Sequence, residues 1–328
     1  MILEIAGYII VFIVLVILSR KYIKTADHFN IIDNPNHRSS HTEPTIRGGG
    51  IIFYFAVLFF FILSGFEYLL FFIAITLLAV VSFLDDIFSL SKRLRLVVHF
   101  TSAILLLWQL QLLDANWLVL VSLSIMIVGF YNLYNFMDGI NGLTAIYSMV
   151  VISGFLSINN FENIIDNRLL VYLLLSLVVF SFYNLRKKAK WFAGDIGSIT
   201  IAACIFFFGV LFIKTLHAPI IILFIVVYAV DAILTIALRV IRGEKITEAH
   251  RHHLYQKFVD VGNYPHTKVA FLYGAVQIII NVLVIYFYKS SIHIQYIIIV
   301  STCLGMGLLY LILIRYFNKK GFHSRKND

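Results

Sequence analysis

The residues best able to do chemistry in this chain are four aspartates, Asp85, Asp86, Asp138 and Asp195, each at the end of a very apolar segment. Asp85 and Asp86 are adjacent in Ser82-Phe83-Leu84-Asp85-Asp86-Ile87, shortly before the basic run Lys92-Arg93-Leu94-Arg95. Neighbouring carboxylates at a membrane surface repel one another unless a cation or a proton relieves them, so the pair reads as a Mg2+ site or a general base, with an ordinary acidic turn as the plain alternative. Asn132, Asn135 and Asp138 recur at three-residue spacing, which predicts a shared helical face, and Gly139 and Gly142 let a ligand come close to the backbone. Amides and a carboxylate are expensive in so apolar a stretch unless they have partners.

Two further clusters complete the inventory. In Trp191-Phe192-Ala193-Gly194-Asp195-Ile196-Gly197-Ser198 an aromatic side chain could stack on a base, while a helix start presents a metal-binding carboxylate beside a phosphate. His250-Arg251-His252-His253 holds three imidazoles in four residues. That spacing is awkward for one tetrahedral zinc ion, and phosphate recognition or proton transfer suits it better. Arg47, just ahead of Gly48-Gly49-Gly50, reads equally as a phosphate clamp or as the inner edge of a span. Asp231 has Thr235 and Arg239 at helical spacing, so a hydrogen bond from Thr235 and an inward reach by Arg239 are expected to ease a charge inside the membrane.

The elements that must position these residues are membrane helices. The 328 residues are 61% hydrophobic and 13% charged, with a mean hydropathy of +0.92, a composition outside the range of soluble domains. The expected fold is all-α and polytopic. Eleven segments approach the length needed to cross about 30 Å of hydrocarbon, at about 2–19, 48–64, 68–84, 96–113, 117–134, 140–158, 169–184, 196–214, 219–238, 267–287 and 294–314. The number falls to ten if one short segment is re-entrant. Of the 26 Lys and Arg residues, 23 fall in alternate connections and the tail, and only Arg168, Lys214 and Lys289 fall on the other side. The positive-inside rule then puts the N-terminus outside and the C-terminus in the cytoplasm.

Residues 1–328 read as a single membrane domain, with cytoplasmic loops at about 20–47, 85–95, 135–139, 185–195 and 239–266. None of these loops is long enough to fold alone. The formal charge of +9 follows from cations retained on one side and attracted to an anionic leaflet, so it gives no ground for a nucleic-acid partner. Cys204 and Cys303 are too few for a disulfide framework and read as small apolar side chains.

Taken in order, the motifs resemble the polyprenyl-phosphate N-acetylhexosamine-1-phosphate transferases, the WecA and MraY superfamily of glycosyl transferase family 4 type. The resemblance rests on Asp33-Asn-Pro-Asn36, Arg38-Ser-Ser-His41, Pro44-Thr-x-Arg47-Gly48-Gly49-Gly50, Asp85-Asp86, Asn135-x-x-Asp138-Gly-x-x-Gly142, Phe192-Ala-Gly-Asp195-x-Gly-Ser and His250-Arg-His-His253. The first and last look closer to the branch that initiates O-antigen or capsule synthesis.

The resemblance implies transfer of N-acetylhexosamine-1-phosphate from a UDP-sugar to undecaprenyl phosphate, releasing UMP, at the cytoplasmic face of the bacterial inner membrane. It implies Mg2+, with Mn2+ as the alternative ion, and is compatible with a homodimer. Carried over by motif, Asp195 is the principal metal ligand and Asp85 the base or orienting group for the lipid phosphate. Asp86 and Asp138 complete the acidic cluster, and Asn135 positions the pyrophosphate. His250, Arg251, His252 and His253 meet phosphate or sugar, Phe192 stacks on uracil, and Arg47 clamps phosphate. Many relatives carry Asp where Asn141 stands, which puts a second carboxylate role there in question. The rival class is a transporter or flippase for an anionic lipid-linked metabolite, which calls for charges near the bilayer midplane.

Overall fold

The computed structural model describes residues 2–35, 43–245 and 250–324. Asn36, Arg38 and His41 of the first motif lie outside the described residues. The chain is helical almost throughout: α1 (Ile2–His28), α2 (Ile51–Leu63), α3 (Leu69–Phe88), α4 (Lys92–Gln109), α5 (Trp117–Phe136), α6 (Leu143–Glu162), α7 (Asn167–Asn184), α8 (Gly194–Leu216), a 3-10 turn (Pro219–Ile225) running into α9 (Val226–Ile241), a short α10 (Leu254–Asp260), α11 (His266–Phe287) and α12 (Ile292–Ser324). Two-residue strands β1 (Ile32–Asp33) and β2 (Thr45–Ile46) pair antiparallel.

Among the described residues nine helices are long and apolar enough to cross a membrane. Each of the eleven expected spans is helical, but two fall short of that standard. The expected span at 48–64 is a 13-residue helix, α2, about 20 Å at 1.5 Å per residue. The expected span at 96–113 is α4, which starts earlier, within the basic run Lys92–Arg95. Other boundaries move outward: α1 continues past residue 19 to His28, and α12 carries the basic tail on to Ser324. Both extensions project basic residues beyond the apolar stretch, where hydropathy alone signals a loop.

Helix α8 sets the frame. From Ile196 to Phe208 every residue is buried, so it is apolar all round and enclosed by the other helices, chiefly α3 and α5. Its N-terminus is thereby fixed near the centre of the end at which the expected cytoplasmic loops gather. Loop ends there are tied by backbone. Phe192 N–H donates to Ile46 O at 2.7 Å, Gly49 N–H to Phe192 O at 2.8 Å, and Gly50 N–H to Ala193 O at 3.0 Å. The contact is so close that a Cβ on Gly50 would overlap the Cα of Gly197, and one on Gly49 would enter the Trp191 ring.

Gly50→Ala is therefore expected to destabilise the protein by about 1–3 kcal/mol through overpacking, whereas Gly7→Ala, where a Cβ meets nothing within 4 Å, leaves it unchanged. Thermal melting of the two purified variants checks this, and equal melting temperatures would refute the close packing.

Candidate active site

Asp85 and Asp86 occupy the last turn of α3, and Asp195 the first turn of α8. The side chain of Asp86 is fully enclosed, and it is satisfied three ways. Arg47 Nε lies 2.8 Å from Oδ1, Asp195 N–H donates to Oδ1 at 3.1 Å, and Ile196 N–H to Oδ2 at 3.3 Å. A carboxylate from α3 thus completes the free N–H groups at the start of α8, where the helix dipole favours negative charge. The approach needs Gly194, whose φ of +70° lies in the left-handed region and whose missing Cβ leaves room for the Asp86 carboxylate.

Asp195 meets two guanidinium groups: Arg47 Nη2 at 3.3 Å and Arg95 Nη1 at 3.7 Å. Arg95 binds Asp85 more tightly, at 2.7 Å, and the other Asp85 oxygen accepts Leu90 N–H at 2.7 Å. The result is a chain of alternating charge, Asp86–Arg47–Asp195–Arg95–Asp85. Tyr22 Oη donates to the carbonyl of Arg47 at 2.5 Å and helps hold that loop. Asn135 interacts with the Asp195 carboxylate, and its Oδ1 accepts from Ser198 Oγ at 2.8 Å. Asp138 accepts from Thr144 Oγ1 at 2.5 Å. Burial raises the Asp138 pKa to about 7, with the Thr144 bond opposing and the charge of Asp195 reinforcing the rise.

Among the described residues no group of three or more His, Cys, Asp or Glu side chains is arranged to hold a metal ion. Mg2+ does not require one, because it commonly sits on one or two carboxylates and completes its octahedron with water and substrate phosphates. The donors at this end are hard oxygens, as Mg2+ prefers. Asp195 is also the carboxylate held most loosely by guanidinium, and the more exposed partner of Arg47. The residues fit the ion.

The histidine loop lies alongside. His250 and His253 both face Phe136, each with ring centroids 6.4 Å away, and Tyr255 Oη donates to Phe136 O at 2.9 Å. His253 is buried. His250 is partly buried, and burial, with His253 beside it, lowers its pKa to about 4. His252 is partly exposed, 3.4 Å from Glu244, and Arg251 is paired with Asp260 at 2.7 Å. Phe192 lies on the wall of a separate cavity of about 710 Å³, with Thr45, Asn141, Lys187, Lys188, Tyr264 and His266 also lining it.

The structure therefore gathers Arg47, Asp85, Asp86, Asn135, Asp138 and Asp195 at one end, with His250 and His253 packed beside the Phe136 turn, while Arg251 and His252 face acidic partners further out. Two expectations change. Asn132 does not share the face of Asn135 and Asp138; it is exposed and bonds back to Val128 O at 2.7 Å. Arg239 does not reach Asp231 but pairs with Glu244 at 3.0 Å, although Thr235 does donate to Asp231 at 3.2 Å. Asn141 stands outside the acidic cluster and donates to Arg186 O at 3.0 Å. Sequence reasoning passed over Arg95 and Ser198. The available signal for Arg95 was an arginine at the base of the helix following the aspartate pair.

These features define a class: a multi-pass helical membrane protein with a carboxylate–guanidinium cluster at one end of its bundle. Residues 68–216 match the family model described as glycosyl transferase family 4, a stretch that contains Asp85, Asp86, Asn135, Asp138, Phe192 and Asp195 but neither Arg47 nor the histidine loop. A curated relative from Bacillus subtilis (strain 168), named a probable undecaprenyl-phosphate N-acetylglucosaminyl 1-phosphate transferase, is 23% identical over 286 residues, covering 80% of this chain and 79% of that one. The middle of the chain is thus similar to glycosyl transferase family 4, the family type its motifs resemble.

The raised Asp138 pKa has a signed consequence. Its folded-state value near 7 exceeds the ordinary carboxyl value of 3.8, so the folded protein retains a proton that the unfolded chain loses. The associated stability is full at low pH and is lost as pH rises through 7. The melting temperature should fall from pH 5 to pH 8, and Asp138→Asn should reduce that slope, leaving the share of Asp86, which burial also raises to about 7; an unchanged slope would contradict the buried Asp138 carboxyl.

Proposed function

We propose that this protein transfers an N-acetylhexosamine-1-phosphate from a UDP-sugar to undecaprenyl phosphate, releasing UMP and leaving a lipid-linked sugar diphosphate that starts a cell-surface glycan such as O-antigen or capsule. The observation that carries the reading is the alternating chain of aspartates and arginines at the start of α8, three residues from Phe192 on the wall of a cavity. Both reactants are anionic, so their meeting requires positive charge held in place and able to exchange partners.

In this reading the site faces the cytoplasm, where the UDP-sugar is found, and the acceptor approaches laterally from the inner leaflet of the bacterial membrane. Phe192 stacks on the uracil in the cavity of about 710 Å³, a volume within the usual range for small-molecule sites. Lys187, Lys188 and His266 line the same cavity with Glu43, which pairs with Lys188, so Lys187 is the cation that favours an anionic guest. Asn135 positions the pyrophosphate. Arg47 and Arg95 exchange their longer contacts with Asp195 for phosphate oxygens while keeping Asp86 and Asp85, so the guanidinium groups are oriented before substrate arrives.

Asp195, supported by Asn135, would hold Mg2+, which supplies charge neutralisation at the phosphates when bound. An oxygen of the lipid phosphate attacks the sugar-bearing phosphorus, the bond to the bridging oxygen breaks, and UMP departs with that oxygen. Asp85, with both oxygens already engaged, suits orientation of Arg95 toward the lipid phosphate better than proton removal. Asp138 and the histidine loop close the site from the side of the Phe136 turn. The N-acetylglucosaminyl group in the name of the Bacillus subtilis relative makes UDP-N-acetylglucosamine the first donor to test.

Purified protein given undecaprenyl phosphate, Mg2+ and a panel of UDP-N-acetylhexosamines should release UMP and yield a lipid diphosphate-sugar detectable by mass spectrometry. Asp195→Asn should abolish the product, and no product from folded wild-type protein with any donor would sink the reading. Arg47→Lys should lower kcat/KM by about tenfold or more, equivalent to about 1.4 kcal/mol, because an ammonium cannot bridge Asp86 and Asp195 in the same fork geometry. Full activity in that variant would mean that Arg47 serves topology alone. Phe192→Ala should raise KM for the UDP-sugar more than it lowers kcat, as measured by initial rates; an unchanged KM would remove Phe192 from nucleotide binding.

A further inference from the structure

Asp231 sits on α9 with 2% of its surface exposed, and donors converge on its carboxylate from three other elements or loops. Leu254 N–H donates to Oδ1 at 2.9 Å, Tyr255 N–H to Oδ2 at 3.2 Å, and Tyr273 Oη to Oδ2 at 2.7 Å. Thr235 on α9 itself adds a bond at 3.2 Å. The fifth contact is His253 Nδ1, 3.3 Å from Oδ1.

An ionised carboxylate can only accept, so the imidazole nitrogen facing it must carry the hydrogen. The Gln256 N–H is also placed to donate to the His253 side chain in the first turn of α10, but a bare Nδ1 accepting it would set a lone pair against the carboxylate. The opposite nitrogen, Nε2, is buried and has no hydrogen-bond partner among the described residues. Buried polar atoms are rarely left that way in native proteins, and each one asks for an explanation. The ring lies between Tyr255, at 5.6 Å, and His250, at 5.0 Å. It also lies 6.4 Å from Phe136, two residues before Asp138.

We infer that Asp231 is the positioning residue for His253: it fixes Nδ1–H and the ring orientation, so that Nε2 is presented to a phosphate oxygen of the bound reactants. Nε2 donates to that oxygen, and Asp231 balances the charge that the doubly protonated ring then carries. The orphaned Nε2 is the half of the pair whose partner arrives with substrate. The two bonds to Leu254 and Tyr255 serve the same end, since they hold the first turn of α10 against α9 and keep the ring from swinging away. This inference rests on the transferase reading above.

The test is a double-mutant cycle on UMP release from UDP-N-acetylglucosamine and undecaprenyl phosphate, with wild type, Asp231→Asn, His253→Gln and the double variant, each checked by thermal melting. Asp231→Asn should lower kcat by about tenfold while KM for the UDP-sugar stays within about threefold, and in the His253→Gln background it should cost less than about twofold more. Additive losses, or a loss that tracks melting temperature with kcat and KM moving together, would overturn the assignment. If Asp231→Asn does not fold, Asp231→Glu retains the charge, displaces the carboxylate and is run through the same cycle with the same two outcomes. A folded wild type that releases no UMP from any donor in the panel overturns the transferase reading and this inference with it, whereas an active wild type with additive losses overturns this inference alone.

Discussion

The structure at the loop end of the bundle depends on one ion pair, the partly exposed Arg47 with the enclosed Asp86. The Asp86 side chain is fully enclosed, so its ionised form has lost its hydration and is held by the Arg47 guanidinium and by two N–H groups at the start of α8. Removing Arg47 would leave the enclosed Asp86 without its counter-charge, the costly half of breaking such a pair, whereas Arg47, a third exposed, would keep solvent and Asp195. Three chain segments meet there: the end of α3, the loop before α2 and the start of α8. The backbone ladder joining Ile46 and Gly49 to Phe192 runs alongside and fixes the same segments. Position is therefore imposed twice, by charge and by main-chain hydrogen bonds.

That constraint separates two neighbouring aspartates that look equivalent on paper. Successive residues on a helix point about 100° apart, so Asp86 turns into the junction while Asp85 turns toward the base of α4 and meets Arg95. Asp86 is spent on structure. Asp195, held at 3.3 and 3.7 Å by the two guanidinium groups, keeps the weakest contacts and so the greatest capacity to take a new partner. An arginine shared between a tight and a loose carboxylate is oriented by the first and can be released by the second, which suits a site that must accept and discharge anions.

Much of this was legible in the sequence, and the rest has identifiable reasons for being hidden. Apolar length located every helix that crosses the bundle, because burying backbone in lipid leaves few alternatives. It misjudged α2, where glycines needed for the Gly50–Gly197 contact shorten the helix, and it stopped α1 and α12 at the first basic residues although the helices continue. Arg47, Asp85, Asp86 and Asn135 do lie together with Asp195 at the start of α8. Helical spacing alone could not tell that Asn132 bonds to its own helix, because a short polar side chain can satisfy itself on the preceding turn. Nor could it tell that Arg239 has a better partner in Glu244 than in Asp231. Arg95 was hidden because a basic residue beside a span reads first as a topological anchor.

Asn141, where the resemblance leads one to expect an aspartate, is bound into its local structure. Its amide nitrogen lies 3.0 Å from Arg186 O and 3.4 Å from Lys187 O, carbonyls of the loop whose Lys187 and Lys188 line the cavity. An aspartate in the same rotamer would place a carboxylate oxygen against two carbonyl oxygens, so the loop would have to move or the acid would have to keep its proton. The asparagine is thus matched to this loop conformation. It also omits a negative charge from a cavity wall that carries Lys187 and Lys188, with Lys188 itself paired to Glu43. A neutral residue there makes the cavity more hospitable to an anion by one charge, so the substitution that looked like a lost metal ligand acts on the electrostatics and shape of the neighbouring cavity, and the acidic cluster stands without it.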